Sequence, residues 1–166
     1  MARIWTFGSD VDTDQILPGR FAPFMLKAGD DVKNYAFVTA NPAFNKDAVA
    51  GDIIVAADNF GCGSSREYAP AALKRRQIGG IIANSFARIF FRNAVNLGIP
   101  VFVAPDVVAA VRDGDSAELD SKTGQITVNG ATYNMPPLPG FAQEIIAEGG
   151  IVPYVRKHGR FPGEKD

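Results

Sequence analysis

The chain has very few of the residues on which metal and disulfide sites depend. Its 166 residues include one cysteine, Cys62, and one histidine, His158. A disulfide needs two cysteines, a zinc site needs three or four Cys, His or carboxylate ligands, and an iron–sulfur cluster needs several thiolates. The chain therefore cannot hold a cluster or a Cys/His zinc site by itself, and we predict no metal-binding residue.

Long apolar runs and an excess of one charge are also missing. The net charge is −1, from 17 basic and 18 acidic residues, which argues against a nucleic-acid-binding surface or a polybasic membrane patch. The longest apolar stretches, such as residues 99–105, are much shorter than the roughly 20 residues of a membrane-spanning helix. Residues 1–6 continue directly into a predicted strand without a signal-peptide core, so we expect a cytoplasmic location.

The composition that remains favours a folded globule. Hydrophobic residues make up 46% of the chain, and the length suits one domain with one core. No internal repeat or linker divides the sequence. We therefore predict a single domain over residues 1–166, of which the charged residues 156–166 form a loose tail.

Residues 58–70, with the sequence DNFGCGSSREYAP, lie between a predicted strand and a predicted helix. Residues 52–57 form a run that is apolar after Asp52 and contains β-branched side chains, whereas Leu73 and Ile78 are placed to line one side of a helix. A glycine-rich turn before a helix presents several backbone N–H groups beside the positive end of the helix dipole. Because Arg66 adds a guanidinium, the segment is a candidate anion-binding site.

The use of Ser64 depends on where this helix begins. Ser64 and Glu67 fit a capping box, in which the serine hydroxyl is already occupied. In that register Pro70 would be the sixth helical residue, where its ring disturbs the helix. A start within residues 66–69 keeps the proline in the first turn and leaves residues 61–65 as a loop. Both interpretations are open from the sequence.

The other segments predict alternating strands and helices, followed by a hairpin. A strand over residues 3–8 ends in an acidic turn over residues 9–14, and later strands and helices read as crossover units of a parallel sheet. Three short strands over residues 117–135 follow, with an Asn129–Gly130 turn that is typical of a hairpin. The remaining predicted elements are a strand over 78–84, a helix over 86–97 capped by Gly98, a strand over 100–104, and helices over 107–113 and 141–148.

Three segments of the chain resemble one family. Residues 10–19 (DVDTDQILPG), 59–67 (NFGCGSSRE) and 84–100 (NSFARIFFRNAVNLGIP) are similar to the small subunits of isopropylmalate and homoaconitate dehydratases, relatives of the aconitase C-terminal domain. They occur in the family's order, and the similarity covers nearly the whole chain. The resemblance implies an α/β fold, a swivelling β/β/α domain with a mixed sheet and a C-terminal β-hairpin region.

The resemblance also implies an activity. Such a chain is the small subunit of a hydro-lyase that isomerises a hydroxy di- or tricarboxylic acid by dehydration and rehydration, with 3-isopropylmalate in leucine biosynthesis as the first candidate substrate. Homoaconitase, aconitase and dimethylmalate-type dehydratases are alternatives. A 4Fe-4S cluster would be carried by a partner large subunit, in a heterodimer or heterotetramer, and the small subunit would be active only with it. An interpretation from another class is a non-catalytic, anion-binding regulatory module.

Residue roles follow from the same resemblance. Ser64 would act as an alkoxide base, Arg66 would clamp a substrate carboxylate, and Asp14 would orient catalytic groups at the subunit junction. The other predicted substrate-binding residues are Thr13, Arg20, Gly63 and Ser65, and the predicted specificity loop consists of Phe21, Ala22, Pro23 and Phe24. Arg88 and Arg92, four residues apart on a predicted helix, are a candidate wall of the site.

Overall fold

The structure, a computed structural model, describes residues 1–164. Within these residues seven strands form one sheet in the order β4-β3-β2-β1-β5-β6-β7. The strands are β1 (Ala2–Phe7), β2 (Ile53–Ala56), β3 (Gly80–Ala83), β4 (Val101–Val103), β5 (Ser116–Asp120), β6 (Gln125–Val128) and β7 (Ala131–Asn134).

Strands β1 to β4 form the parallel half of the sheet. In the middle of this half, Ile4 of β1 pairs with Ile53 of β2, which pairs with Gly80 of β3. Every residue of β2 and β3 is buried, and these strands consist almost entirely of Ile, Val and Ala. Such continuously apolar strands are typical of a parallel sheet covered on both faces, so the predicted crossover arrangement is confirmed.

Strands β5 to β7 form the antiparallel half, which joins the parallel half where Ala117 of β5 pairs with Ala2 of β1. The turn between β6 and β7 is the predicted Asn129–Gly130 turn. Both residues have positive φ angles, 49° and 87°, as a two-residue hairpin turn of this type requires.

Helices cover the two faces of the sheet. They are α1 (Thr13–Ile16), α2 (Pro42–Asp47), α3 (Tyr68–Arg75), α4 (Arg88–Asn96), α5 (Pro105–Ala110), α6 (Gly140–Ala147) and α7 (Ile151–His158). One apolar core lies on the face of α1 to α4 and α6 and includes Trp5, Phe44 and Leu73. The other lies under α5, where Val107 packs with Phe102 and other apolar residues of the opposite face.

Two predictions about local structure are wrong. Thr13 and Asp14 do not belong to an acidic turn but begin α1, because Asp12 and Gln15 form a reciprocal capping box at its start. Arg156 does not begin a loose tail, since residues 156–158 are the last turn of α7, whose Tyr154 is buried and donates a hydrogen bond to Glu144. The last two residues of the predicted tail, 165 and 166, lie outside the described residues.

The predicted fold class is confirmed at the level of architecture. The structure is an α/β fold with a mixed sheet, and its antiparallel strands follow the parallel unit along the chain. Across residues 1–164, none of the helices combines the length and apolarity that a bilayer span requires.

Candidate functional site

The candidate site lies where two neighbouring parallel strands end. The loop after β1 leads into α1, and the loop after β2 leads into α3. Because β1 and β2 are adjacent and parallel, their carboxyl ends lie at the same edge of the sheet, where ligands bind in open α/β folds.

Hydrogen bonds hold the two loops side by side. The Gly61 N–H donates to the Val11 carbonyl at 2.7 Å, and the Thr13 N–H donates to the Cys62 carbonyl at 2.8 Å. One step further, the Ser64 N–H donates to the Thr13 hydroxyl oxygen at 3.0 Å. Thr13 is only 6% exposed, so this contact fixes the position of Ser64 from beneath.

The start of α3 decides between the two interpretations of Ser64. The helix begins at Tyr68, Glu67 occupies the N-cap position, and Pro70 is the third helical residue. The capping-box interpretation is therefore wrong, and the later start is confirmed. The Ser64 hydroxyl oxygen accepts a hydrogen bond from the Arg66 N–H at 3.2 Å, in a turn that precedes the helix.

Two glycines allow this close packing of the loops. Gly61 has a φ angle of +83°, and an added Cβ would overlap the Phe90 ring. Gly63 has a φ angle of +103°, and its Cβ would lie 3.2 Å from the Thr13 hydroxyl oxygen. A side chain at either position would therefore strain the loop that carries Ser64.

An open pocket of about 220 Å³ lies between the loops. It brings together four of the predicted site residues, Thr13, Asp14, Ser64 and Arg66, with Ala22 of the predicted specificity loop. Among the described residues, the Arg66 guanidinium and the Asp14 carboxylate have no hydrogen-bonding or ion-pair partner. The pocket thus offers a free cation, a free carboxylate and the Ser64 hydroxyl to a ligand.

Backbone N–H donors add to the positive potential that the Arg66 guanidinium creates in the pocket. In the part of the chain that the structure describes, the N–H groups of Ser65, Glu67, Tyr68 and Ala69 donate to no protein acceptor. Together with Arg66 they form a set of donors at the start of α3. Such donors bind carboxylates and stabilise a developing oxyanion, so the site is suited to carboxylic-acid substrates.

Other predicted site residues lie outside the lining of this pocket. Arg20 donates to the Thr39 hydroxyl at 3.2 Å, and its guanidinium lies 4.9 Å from the centre of the Phe21 ring. Phe21 in turn stacks on Tyr35, with ring centres 4.0 Å apart. Phe24 is exposed beside Tyr68. The pocket lining likewise omits Gly63, Ser65 and Pro23.

The sequence interpretation missed several pocket residues. The pocket is also lined by Leu17, Gly19, Tyr68 and Ala69. Tyr68 and Ala69 open α3, so a firm assignment of the helix start would have indicated them, because first-turn residues border an anion site at a helix N-terminus. Leu17 and Gly19 carried no comparable signal, since apolar residues and glycines are usual in any loop.

Cys62 and its acidic neighbours have structural roles in this region. Burial raises the pKa of the Cys62 thiol, and the charges of Asp10 and Asp12 raise it further. This environment disfavours a nucleophilic thiolate. Asp12 caps α1, and Asp10 accepts a hydrogen bond from the Asn59 amide at 2.9 Å. These contacts give both carboxylates a structural role.

Comparison with known proteins identifies the fold family. Residues 8–104, which include both loops and the parallel strands β2 to β4, match the model of the aconitase C-terminal domain family. The chain belongs to this family. The resemblance found in the three sequence segments is thus confirmed.

Curated members of the aconitase family match almost the whole chain. It is 51% identical over 166 residues to the 3-isopropylmalate dehydratase small subunit 1 of Deinococcus radiodurans, covering 99% of this chain and 92% of that protein. It is 51% identical over 164 residues to the homoaconitase small subunit of Thermus thermophilus, covering 99% of this chain and all of that protein.

A crystal structure of a family member has the same fold. The structure of 3-isopropylmalate dehydratase (leuD) from Methanocaldococcus jannaschii superposes with a TM-score of 0.86 at 38% identity, covering 95% of this chain and 93% of that chain. The predicted fold class is therefore confirmed at the level of a specific family.

The residues of this chain do not fit an iron–sulfur cluster. Over residues 1–164 no group of three or more Cys, His, Asp or Glu side chains is arranged to hold a metal ion. The pocket residues with side-chain oxygens do not supply the thiolates of a cluster; they are Thr13, Asp14, Ser64 and Tyr68.

Proposed function

We propose that this chain is the small subunit of a 3-isopropylmalate dehydratase, a hydro-lyase of the aconitase family. The observation that carries the proposal is the pocket in which Ser64, Arg66 and Asp14 meet, in a chain that matches such small subunits over nearly its whole length. The whole described chain acts as one domain that brings this pocket to a partner. In this proposal the protein is cytoplasmic.

The chemical role of the chain is to move a proton. Dehydration of a hydroxy acid requires removal of a proton from a carbon next to a carboxylate, and the Ser64 alkoxide is the proposed base. A free serine hydroxyl is far too weak an acid to ionise near neutral pH, so its anion must be stabilised by preorganised donors. The Arg66 N–H already donates to the Ser64 oxygen, and this bond strengthens when the oxygen is charged.

The remaining pocket residues bind and orient the substrate. The Arg66 guanidinium is proposed to clamp a carboxylate with two hydrogen bonds, and the Ser65 N–H is a further donor. Asp14 is proposed to orient catalytic groups from the open side of the pocket, where it faces the partner. Arg20 and the loop of Phe21 to Phe24 are proposed to meet the variable end of the substrate.

The partner is proposed to be a large subunit that carries the 4Fe-4S cluster, because this chain has one cysteine and its described residues form no metal site. The chain is then inactive alone. The same argument applies to a second candidate, the small subunit of a homoaconitase, which is favoured by an equal identity of 51% to the Thermus thermophilus protein.

The test is reconstitution with a large subunit of each kind. The unsaturated acid formed from 3-isopropylmalate or homocitrate is followed by its ultraviolet absorbance. The complex is expected to turn over, the lone chain is not, and Ser64→Ala is expected to lower kcat by a factor of about 10³ with little change in KM, as the loss of a general base does. The more active of the two acids identifies the substrate.

A matched control separates a base from a binding group. Ser116→Ala removes an exposed serine on β5 and should leave kcat unchanged. Full activity of the Ser64→Ala complex, or turnover by the lone chain, would contradict the proposal. Retained binding of a dicarboxylate without any turnover in the reconstituted complex would instead support a non-catalytic binding module.

A further inference from the structure

An exposed surface next to the pocket has the features of a docking site. It consists of a groove of about 380 Å³ between α4, the loop after β3 and the end of β4, with Ile89 beside it. We call it the rim surface and define it by Phe86, Arg88, Ile89, Phe91, Arg92 and Val103. Ile89 is 49% exposed and Val103 is 44% exposed.

The rim surface is joined directly to the loop that carries Ser64. The Phe60 N–H donates to the Ser85 carbonyl at 3.1 Å, and the Ala87 N–H donates back to the Phe60 carbonyl at 2.9 Å. Closer to the pocket, the Asn93 amide donates to the Ser65 carbonyl at 3.3 Å. Ile89 and Asn93 are four residues apart on α4 and so lie on one helix face. Ile89 of the rim surface therefore lies on the face of α4 that contacts the loop carrying Ser64.

The rim surface also carries unsatisfied positive charge. Arg88 and Arg92 lie one helical turn apart on α4 and are both exposed. Across residues 1–164 neither guanidinium has a carboxylate within ion-pair distance. Exposed apolar side chains beside two unpaired cations are suited to a partner that presents carboxylates around an aliphatic patch.

From these observations we infer that the rim surface docks the large subunit, with carboxylates of the partner against Arg88 and Arg92 and aliphatic side chains against Ile89 and Val103. The inference rests on the proposed function, in which the partner must cover the open pocket. Because α4 contacts the loop that carries Ser64, a partner that covers Ser64 and extends along α4 reaches the rim surface as well.

A second copy of this chain fits the rim surface less well. In a two-fold symmetric dimer the same patch faces itself, so Arg88 and Arg92 of one copy would approach those of the other. Four guanidinium groups would then lie close together without carboxylates of the rim surface between them. The charge of the surface thus selects a different, acidic partner.

The test measures the affinity of the full chain for the large subunit. In Arg88→Glu/Arg92→Glu the two cations become anions, and we expect the Kd for the large subunit to rise at least about tenfold. Added salt should raise the Kd of the wild type, and this effect of salt on Kd should be smaller in the variant. Ile89→Ser, which removes only the apolar contact, is expected to raise Kd by about three- to tenfold without changing the salt dependence.

The matched control makes the same change of charge elsewhere. Lys46→Glu/Lys122→Glu reverses two exposed cations on α2 and on the β5–β6 turn, and its Kd should stay within about twofold of the wild-type value. Unchanged circular dichroism and thermal unfolding establish that each variant is folded.

The possible outcomes separate this inference from the proposed function. If the rim and control variants bind the large subunit equally well and both complexes turn over, the docking inference is overturned and the proposed function stands. If the rim variant binds weakly but the wild-type complex has no activity, the docking inference stands and the proposed function is overturned. Conversion of a wild-type dimer of this chain into a monomer by the rim variant would identify the surface as a self-interface and overturn the inference.

Discussion

The hydroxyl of Thr13 connects the two loops of the site. Its oxygen accepts the Ser64 N–H, and the Thr13 N–H donates to Cys62. Thr13 is nearly buried, whereas Ser64 is exposed to the pocket. Thr13 therefore acts as a positioning residue, because it fixes the position of the loop that carries the proposed base, Ser64.

We predict that Thr13→Val lowers kcat of the reconstituted complex by about ten- to a hundredfold, because the Ser64 N–H loses its acceptor and a displacement of about 1 Å at a reacting group has this cost. Thr13→Ser keeps the hydroxyl and should restore most of kcat. Steady-state kinetics on 3-isopropylmalate separates kcat from KM. An equal kcat for the valine and serine variants, with only a lower Tm for valine, would mean that the contact is merely structural.

The sequence predicted the polar residues of the candidate site better than the residues that form its walls. Ser64, Arg66 and the two loop glycines lie in one short segment, so their proximity needs no tertiary information. Asp14 is 50 residues away in sequence, and only the family resemblance linked it to Ser64. Tyr68 and Leu17 were missed because nothing local distinguishes an aromatic or aliphatic residue that lines a pocket from one that packs in the core.

At the scale of elements, an ion pair fixes α3 to the segment before α2. Asp31 begins a 3₁₀ turn over Val32–Tyr35 and accepts from the Lys33 N–H at 3.0 Å. The Arg75 Nε also donates to it, at 2.8 Å. The pKa of Asp31 is lowered from 3.8 to about 2, chiefly by its hydrogen bonds with the Arg75 guanidinium.

We predict that Asp31→Asn lowers the free energy of unfolding by about 1 kcal/mol at pH 7, a modest value because Arg75 is largely exposed. A carboxylate with a lowered pKa in the folded state stabilises the protein above its unfolded pKa, and this contribution is lost as the pH falls. The difference between wild type and variant should therefore close as the pH falls from about 4 to about 2. Urea unfolding at pH 7, 4 and 3 measures it.

The control for this pair is Asp47→Asn, which neutralises an exposed carboxylate at the end of α2. It should change the free energy of unfolding by less than about 0.5 kcal/mol at pH 7. A difference between Asp31→Asn and wild type that is the same at every pH would mean that packing of the side chain, and not its charge, is responsible.

Secondary-structure elements were predictable where a single residue type strongly restricts the backbone conformation. Pro70 indicated the true start of α3, and Asn129–Gly130 indicated the β6–β7 turn, because each residue type restricts the backbone by itself. No part of α7 was predicted, and its last three residues, 156–158, are all charged or polar and were expected in the tail. Side-chain contacts hold the helix: Lys157 pairs with Glu148 at 2.8 Å, and Tyr154 packs against His158 within the helix.

At the scale of the whole molecule, Asp52 joins the parts of the fold around β1. It is 2% exposed and lies just before β2. Its carboxylate accepts hydrogen bonds from the Arg3 N–H at 3.0 Å, from the Trp5 indole N–H at 2.9 Å and from the Val49 N–H at 3.0 Å. Strand β1 pairs with β2 of the parallel half and with β5 of the antiparallel half. The Asp52 carboxylate therefore forms its hydrogen bonds where the two halves of the sheet meet.

We predict that the chain unfolds as one cooperative unit and that Asp52→Asn destabilises all of it by about 2–4 kcal/mol, since an amide nitrogen replaces an acceptor among three donors, of which the Trp5 indole N–H is buried. Trp5 is the only tryptophan, so its fluorescence reports the centre of the sheet, while far-ultraviolet circular dichroism reports the helices. The two urea curves should coincide in wild type and shift together in the variant, as two-state unfolding requires. If the fluorescence curve alone shifted, the strands around β1 would unfold separately from the helices, and the prediction of a single domain over the whole chain would be wrong.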